Sequence, residues 1–301
     1  MGLNFQNVTF KYFKKASNNT LNNINISINN NDEFIAILGH TGSGKSTLVQ
    51  LMNALLLPTG GTIQINEQVV SNNKRKNAKI KFKLIRAHIG LVFQFPEYQL
   101  FEDTVMKDIL FGPKNFGMKP EEAKQEADKV IKLLKIPEEI LDRSPFSISG
   151  GQMRKAAIAG ILASNPSILI LDEPTVGLDP KSKLELMELL QNLQAETHKT
   201  IIMVSHDMNV VAQYAKRIIV MREGNVVYDG PKSELFQDVS KLSSFNLGLP
   251  ECAKIALELK NRGLIEFDNI PLTKQELLRL IIKEHKEGDY HEWENRLWPV
   301  L

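Results

Sequence analysis

A glycine-rich segment, GHTGSGKST, lies between the apolar run IAIL and the apolar stretch LVQLMNALL. Its spacing fits G-x-x-x-x-G-K-[ST], the pattern of a loop that wraps phosphate groups between a strand and a helix. The glycines let backbone N–H groups point inward, and the positive end of the following helix favours anionic oxygens. We expect Lys45 to contact the β- and γ-phosphates of a nucleoside triphosphate and the Ser46 hydroxyl to contact magnesium. The predicted nucleotide-binding residues are Gly39, His40, Thr41, Gly42, Ser43, Gly44, Lys45, Ser46 and Thr47.

An acidic pair, Asp172 and Glu173, follows the apolar run ILIL, which is typical of a buried strand. In open α/β sheets, ligands bind at the carboxyl ends of the strands. Asp172 would hold magnesium through water, and Glu173 would act as the general base that polarises an attacking water molecule. Such a pair can also simply cap a helix. Together with the phosphate loop, it predicts hydrolysis of a nucleoside triphosphate.

A second serine–glycine turn, SISGGQ, precedes the helical pattern MRKAAIAGILA. Because it stands at the start of a helix, it offers a second phosphate-binding surface on the same chain. SGGQ shortly before ILILDEP resembles the signature motif of ATP-binding-cassette (ABC) ATPases, with Ile148 at the usual leucine position. The resemblance implies that two cassettes pair head to tail, each contributing its signature to the ATP on the other. The signature residues are Ser149, Gly150, Gly151 and Gln152.

The resemblance to ABC ATPases covers about residues 1 to 235 and assigns four further side chains. Tyr12 resembles the aromatic residue that stacks on adenine, and Gln94 the glutamine that senses magnesium and the γ-phosphate. Asp179, in GLDP, resembles the acidic member of the loop at the dimer interface, and His206, in VSHD, the switch histidine that contacts the γ-phosphate. Taken alone, Tyr12 would be interpreted as a packing aromatic and His206 as an ordinary loop histidine.

Short aliphatic runs alternate with helical patterns and predict the elements that position these residues. The runs at 33–38, 89–93, 168–171 and 200–204 suit strands of a parallel sheet that is buried on both faces, which predicts an α/β core. An amphipathic helix is expected over 119–136, with Pro120 near its start. The resemblance implies an ABC-type nucleotide-binding domain with an antiparallel β subdomain and a helical insertion at about 97–160.

We expect two domains, divided at 235/236, with a small, mainly helical domain over 236–301. A helix over 251–262 should stop at Gly263, and Thr273 with Glu276 predicts a capping box for a further helix. The resemblance implies that this second domain holds two ATPases together.

The composition excludes several classes of protein. The chain has 301 residues and a formal net charge of +2, which does not indicate a polyanionic partner. The single cysteine, Cys252, excludes an intrachain disulfide framework, and no apolar run is long enough to span a membrane.

One segment between Glu67 and Glu97 contains no acidic residue. We hold three interpretations of it open: a solvated face, a membrane-facing patch or a nucleic-acid-facing patch. Alternating basic and apolar residues over 79–84 indicate a strand, whereas the ABC resemblance implies a helix. The basic residues are Lys74, Arg75, Lys76, Lys79, Lys81, Lys83 and Arg86.

The segment FQFPEYQLFEDTVMKDILFGPKN and the run GGQMRKAAIAG resemble the ATPases of energy-coupling factor (ECF) transporters, which import vitamins and transition metals into prokaryotes. DEPTVGLDP with its intact Glu173 resembles the second of the two paralogous ATPases. The resemblance implies a peripheral position on the cytoplasmic face of the cell membrane and three partners. These are a second ABC ATPase, either paralogue or copy, a transmembrane coupling subunit and a substrate-binding membrane subunit.

In the ECF family, the stretch after the sensing glutamine forms a groove for helices of the coupling subunit. We expect Glu97, Glu102 and Asp103 to receive arginines of that subunit there, although these acids could instead be solvated.

Two other functions were weighed against transport. A soluble ABC ATPase acting on nucleic acid or ribosomes would use the basic segment, but only about a hundred residues separate the phosphate loop from the signature, which leaves no room for a long coiled coil. A non-hydrolysing assembly switch is disfavoured by Glu173. We therefore expect no nucleic-acid partner.

Overall fold

The computed structural model describes residues 2–13, 18–29 and 32–287. The strands are β1 (Gly2–Phe10), β2 (Leu21–Asn29), β3 (Phe34–Leu38), β4 (Gly60–Ile65), β5 (Gln68–Ser71), β6 (Ile89–Val92), β7 (Ile168–Asp172), β8 (Thr200–Val204), β9 (Arg217–Arg222) and β10 (Asn225–Pro231). The helices are α1 (Lys45–Met52), α2 (Lys74–Asn77), α3 (Phe82–His88), α4 (Val105–Phe116), α5 (Pro120–Leu133), α6 (Gly150–Leu162), α7 (Pro180–Thr197), α8 (Met208–Tyr214), α9 (Lys232–Gln237), α10 (Val239–Ser244), α11 (Glu251–Asn261) and α12 (Lys274–Glu287).

A six-stranded sheet with the order β10-β9-β3-β8-β7-β6 carries the site. Its strands pair in parallel except for β10, which runs antiparallel to β9. Every residue of β3, β7 and β8 is buried, as expected for aliphatic runs covered on both faces. The predicted α/β class is confirmed, and each predicted run contains a strand. Because the strands are parallel, the carboxyl ends of β3, β7 and β8 meet at one edge.

A second, antiparallel sheet with the order β2-β1-β4-β5 covers one face of the parallel sheet. Phe5 of β1, Ile24 of β2 and Ile63 of β4 pack in one core with Ile37 and Ile170 of the parallel sheet. This sheet corresponds to the antiparallel subdomain that the resemblance implied. It holds the N-terminal strand, and with it Tyr12, beside the phosphate loop.

Helices α4, α5 and α6 lie within the predicted insertion and pack on the opposite face. Pro120 occupies the first turn of α5, and the predicted apolar stripe is buried at Ala123, Ala127, Val130 and Ile131. The amphipathic helix is therefore confirmed, with bounds a few residues shorter than expected.

The basic segment forms α2 and α3, joined by a turn at 78–81, and contains no strand over 79–84. Phe82 and Ile85 are three residues apart, and both pack on the core below α3, whereas Lys81, Lys83 and Leu84 are exposed. A spacing of three places two side chains on one face of a helix but on opposite faces of a strand. Ile80 also packs on the core, so the alternation of buried apolar and exposed basic residues is present at the turn before α3, without a strand.

The helices after β10 are buried in two separate hydrophobic cores. Leu235 and Phe236 of α9 and Leu242 of α10 are buried with Ala36 and Val211 of the ATPase core. A separate small core begins with α11 and joins Ala256, Leu259, Leu264, Ile265 and Leu277. The domain division at 235/236 stays a prediction. Because α9 and α10 pack on the ATPase core and α11 begins a separate core, we propose that the second domain begins between Ser244 and Glu251. None of the helices in the described ranges is long and apolar enough to cross a membrane.

The predicted capping box at the start of α12 is present. The Thr273 hydroxyl accepts the Glu276 N–H at 3.3 Å, and the Glu276 carboxylate accepts the N–H groups of Thr273 and Leu272 at 3.1 and 2.7 Å. Replacing Thr273 by alanine should therefore destabilise the first turn of α12 by about 1 kcal/mol.

Hydrogen exchange of the full chain measures this effect: in Thr273→Ala, the first-turn amides of α12 should exchange about fivefold faster, which corresponds to ~1 kcal/mol. Glu276→Gln keeps an acceptor oxygen and serves as the control, with protection close to that of the parent chain. Unchanged protection in Thr273→Ala would show that the cap does not stabilise this helix.

Candidate nucleotide site and signature surface

The phosphate loop joins β3 to α1 and is shaped around the Lys45 side chain. The Lys45 amine donates to the carbonyl oxygens of Gly39 at 2.8 Å and His40 at 3.0 Å. Gly39 has φ of +144°, and a Cβ there would lie 2.2 Å from the carbonyl oxygen of Met221, so only glycine fits. No side chain caps the N-terminus of α1, which leaves its first N–H groups to an anionic ligand.

Three charged groups meet at the carboxyl edge of the sheet: Lys45, Asp172 and Glu173. Burial lowers the pKa of Lys45, and the carboxylates of Glu173 and Asp172 oppose that effect. Burial also raises the pKa of Asp172, against a hydrogen bond from the Ser46 hydroxyl. The predicted lysine, serine and aspartate are therefore neighbours, with one ammonium group beside two carboxylates.

The predicted general base and switch histidine are in direct contact. Nε2 of His206 lies 2.7 Å from Oε1 of Glu173, although the two residues come from different strand ends. Glu173 has a left-handed backbone with φ of +51°, and its N–H donates to the carbonyl oxygen of Val204 at the end of β8. That turn directs the Glu173 side chain away from β7 and toward the histidine. Strained backbone of this kind is common at functional sites.

Tyr12 lies next to the phosphate loop. Its hydroxyl is 3.0 Å from the Thr47 hydroxyl, and its ring packs edge to face on Phe10 with centroids 4.9 Å apart. The side chain is 56% exposed, so a ring surface is open to a flat ligand. Gln94, two residues beyond β6, is also exposed.

The signature turn is preformed and open. Ser149 caps α6: its hydroxyl accepts the Gln152 N–H at 3.4 Å, while the Gln152 side-chain oxygen accepts the Ser149 N–H at 3.0 Å. Gly150 and Gly151 are exposed, and a Cβ at either position would meet nothing within 4 Å. The surface is therefore ready to receive a group from another molecule.

Asp179 caps α7 and accepts the N–H groups of Lys181 and Ser182 at 3.0 and 3.1 Å and the Ser182 hydroxyl at 2.5 Å. Those donors lower the pKa of the Asp179 carboxyl. Lys183 of the same helix donates to Asp207, which directly follows His206. The helix that Asp179 caps and the loop that carries His206 are thus tied together within one chain.

Arg154 is an important residue that sequence reasoning missed. Its guanidinium forms a bidentate pair with Glu97, with both N···O distances 3.0 Å. It also donates to the carbonyl oxygens of Pro174 and Val176 at 3.4 and 3.1 Å. One buried arginine on the signature helix therefore holds both the loop after Gln94 and the loop after Glu173. A lone arginine in the apolar run MRKAAIAGILA was the available signal.

The pair bears on the prediction for Glu97. Its carboxylate was expected to receive an arginine of another subunit, and each of its oxygens accepts an N–H of Arg154 in the same chain, so the contact with another subunit stays a prediction. Asp103 is exposed and pairs with Lys107 at 2.9 Å, and Glu102 is half-buried. Glu97 is half-buried as well, and Asp103 has the most exposed side chain of the three acids.

An apolar groove does lie beside these residues. It is a cavity of about 290 Å³ whose lining includes Arg86 of α3, Phe93, Phe101, Phe111 and Phe116. Phe101 and Phe111 stack edge to face with centroids 4.8 Å apart and remain 58% and 43% exposed. Exposed aromatic pairs beside a concave surface are typical of docking sites.

The Arg154 pair should be visible in stability. Arg154→Met leaves the Glu97 carboxylate largely buried without a partner and should lower the free energy of unfolding by ~3 kcal/mol in urea denaturation. The double variant Arg154→Met, Glu97→Gln should lose less than the sum of the single losses, by about 1 kcal/mol, because neither residue is then an unpaired ion. Additive losses would mean that the two side chains contribute independently.

The ABC transporter family profile matches residues 21–176. The energy-coupling factor transporter ATP-binding protein EcfA2 of Staphylococcus aureus is 43% identical over 98% of this chain and 99% of its own length. EcfA2 of Enterococcus faecalis is 45% identical over 96% of this chain and 99% of its own length.

Solved structures agree with these relatives. CbiO1 of Clostridium perfringens, described as part of the ABC transporter complex CbiONQ, is 34% identical with a TM-score of 0.70, covering 87% of this chain and 96% of its own. The dimeric ATP-binding cassette MJ0796, bound to ADP and Pi in a post-hydrolysis state, is 32% identical with a TM-score of 0.64, covering 76% and 98%. The family profile, the identity over nearly the full length and the shared fold agree, and this chain belongs to the ABC transporter family, among the energy-coupling factor transporter ATP-binding proteins.

Proposed function

We propose that this chain hydrolyses ATP at two composite sites and thereby powers an ECF-type importer of a vitamin or transition-metal ion. The observation that carries this proposal is the contact between Glu173 and His206, 2.7 Å apart, beside the buried Lys45 and Asp172. The site thus brings together four groups with different roles. Glu173 would be the base, His206 the contact to the γ-phosphate, Lys45 the phosphate-binding cation and Asp172 the carboxylate that holds magnesium. The names of the relatives, all ATP-binding subunits of transporters, support the same function.

The residues that would bind ATP lie at the carboxyl edge of the parallel sheet. The uncapped start of α1 and the Lys45 amine would take the phosphates, and the exposed Tyr12 ring would stack on adenine. The hydroxyl of Ser46 and the carboxylate of Asp172 are already in contact, and hard oxygen donors of this kind suit Mg²⁺. We assign Ser46, Gln94 and Asp172 as the residues that would hold the ion, whose bound charge would offset that of the phosphate oxygens.

For hydrolysis, Glu173 would orient a water molecule in line with the γ-phosphate and accept its proton. The water oxygen forms a bond to the γ-phosphorus as the bond to the β–γ bridging oxygen breaks, and ADP leaves. His206 contacts the Glu173 carboxylate and would donate to a γ-phosphate oxygen of bound ATP.

A single chain supplies only half of each site. Ser149, Gly150, Gly151 and Gln152 would reach the ATP on a second ABC ATPase, either a copy or a paralogue, and Asp179 would lie at the same interface. The exposed, capped signature turn supports this arrangement, as does the dimeric state of the similar cassette MJ0796. We propose that residues 236–301 contribute to holding the two ATPases together.

The transport partners follow from the same family membership. We propose a peripheral position on the cytoplasmic face of a prokaryotic cell membrane, a transmembrane coupling subunit docked in the Phe101–Phe111 groove, and a separate substrate-binding membrane subunit. Glu102 and Asp103 at the groove would receive arginines of the coupling subunit. Closure of the two cassettes around ATP would move the grooves, and hydrolysis would reset the open state.

The assigned base is tested by Glu173→Gln. With the partner subunits present, this substitution should reduce ATP turnover by at least about 10²-fold while leaving ATP binding intact, because the amide cannot accept the proton of the water. ATP-bound dimers should accumulate and are measured by size-exclusion chromatography with light scattering.

The matched control is Glu196→Gln, at an exposed position of α7, which should hydrolyse ATP at the parental rate. Parental turnover in Glu173→Gln would remove Glu173 as the base.

The groove is tested by Glu102→Gln combined with Asp103→Asn. This change should weaken co-purification of the coupling subunit several-fold without altering ATP binding, since the acids lie away from the phosphate loop. Glu97 is left unchanged because of its internal pair. Glu121→Gln with Glu122→Gln, exposed on α5, removes the same charge as the control. Equal retention of the coupling subunit by both variants would exclude these acids as its contacts.

A further inference from the structure

We propose that the basic segment, residues 74–86, is a contact surface for anionic lipid headgroups next to the coupling groove. The inference rests on the proposed function, because it requires that the groove faces a membrane. It adds a partner, the bilayer surface itself, that is not needed for ATP hydrolysis or for subunit docking.

The first argument is the distribution of charge. The seven basic residues of this segment contribute +7 to a chain whose formal net charge is +2, so the rest of the chain sums to −5. No acidic residue occurs between Glu67 and Glu97. Among the described residues, no basic side chain from Arg75 to Arg86 has an acidic partner, so the charge of the segment is not offset locally. This surface is therefore a local positive region on an otherwise acidic protein.

The fold holds the segment in place and directs its charges outward. The Asn73 side chain accepts the N–H groups of Arg75 and Lys76 at 3.0 and 3.2 Å, and Asn77 donates to the Ser71 carbonyl at 2.6 Å. Within α3 the buried residue is Ile85. The exposed basic side chains are Arg75, Lys76, Lys79, Lys81, Lys83 and Arg86.

The apolar neighbours of these charges favour a bilayer. Leu84, between the basic residues of α3, is 54% exposed. Arg86 belongs to α3 and also lines the groove, where Phe101, Phe111 and Leu55 are 58%, 43% and 46% exposed. The basic residues and the exposed Leu84 therefore lie beside the groove proposed for the coupling subunit, and basic side chains with an apolar neighbour are the combination that binds the interface of an anionic membrane.

A nucleic acid fits the same surface less well. Single-stranded nucleic acids are held by exposed aromatic rings on which bases stack, in addition to basic residues. The one aromatic residue of the segment, Phe82, is half-buried and packs on the core, with the Arg86 guanidinium 6.0 Å from its ring centroid. No aromatic face within the segment is open to a base.

Vesicle co-sedimentation of the purified full chain tests the proposal. The chain should bind vesicles of phosphatidylcholine with about 30% phosphatidylglycerol and should not bind vesicles of phosphatidylcholine alone. Salt at ~1 M, which shortens the screening length to about 3 Å, should release it.

The test variant combines Lys76→Gln, Lys79→Gln, Lys81→Gln and Lys83→Gln. A basic side chain near an anionic surface contributes about a fivefold change in partition, so the variant should bind at least about tenfold more weakly.

The control variant removes the same charge from the C-terminal helices by Lys254→Gln, Lys274→Gln, Arg279→Gln and Lys283→Gln, all at exposed positions. It should bind vesicles as the parent does. If both variants lost vesicle binding equally, the binding would depend only on the net charge of the chain, and the proposal would be overturned. It would also fail if the parent ignored anionic vesicles, or if it bound a single-stranded oligoribonucleotide more tightly than vesicles at the same salt.

ATP turnover separates this proposal from the proposed function. The test variant changes no residue of the nucleotide site or the groove, so ATP turnover with the partner subunits in detergent should equal that of the parent. Loss of vesicle binding with intact turnover is the expected result. Absence of turnover in the parent would instead refute the proposed function, whatever the vesicles show.

Discussion

The structure depends on the burial of one ammonium group, Lys45, beside two carboxylates at the carboxyl edge of a parallel sheet. The loop carbonyls of Gly39 and His40 accept its N–H groups, and Asp172 and Glu173 balance part of its charge. Such an arrangement is costly unless each group is paired, and here the ammonium has carbonyl oxygens and two carboxylates as its partners. The parallel sheet makes the arrangement available because β3, β7 and β8 all end at the same edge.

A second network extends from this edge to the signature helix. Arg154 stands on the helix that Ser149 caps, and it holds both Glu97 and the carbonyl oxygens that follow Glu173. In the proposed dimer, the signature contacts one ATP while Glu173 acts on the other. The arginine therefore connects the parts of one chain that serve different nucleotides, and rigid bidentate pairing suits that purpose better than a flexible lysine would.

The C-terminal helices are connected to the same site by short contacts. The Asn209 side chain, one turn after His206, accepts the N–H of Glu251 at the start of α11 at 2.8 Å. Gln237 of α9 bonds to the backbone of Ile270 through both its amide atoms, at 3.1 and 2.6 Å. The helical region is therefore joined both to the loop that carries His206 and to the helix that packs on the ATPase core.

Motifs whose geometry is set within a few residues could be predicted from the sequence. The phosphate loop, the acidic pair after ILIL, the signature cap at Ser149 and the capping box at Thr273 all depend on local backbone and hydrogen bonding, so spacing alone indicated them. Only the tertiary structure decided which distant groups meet. The Glu97–Arg154 pair, the Glu173–His206 contact and the helix at 82–88 each depend on packing between separate segments, and no local spacing records which ion is already paired and which remains free for a partner.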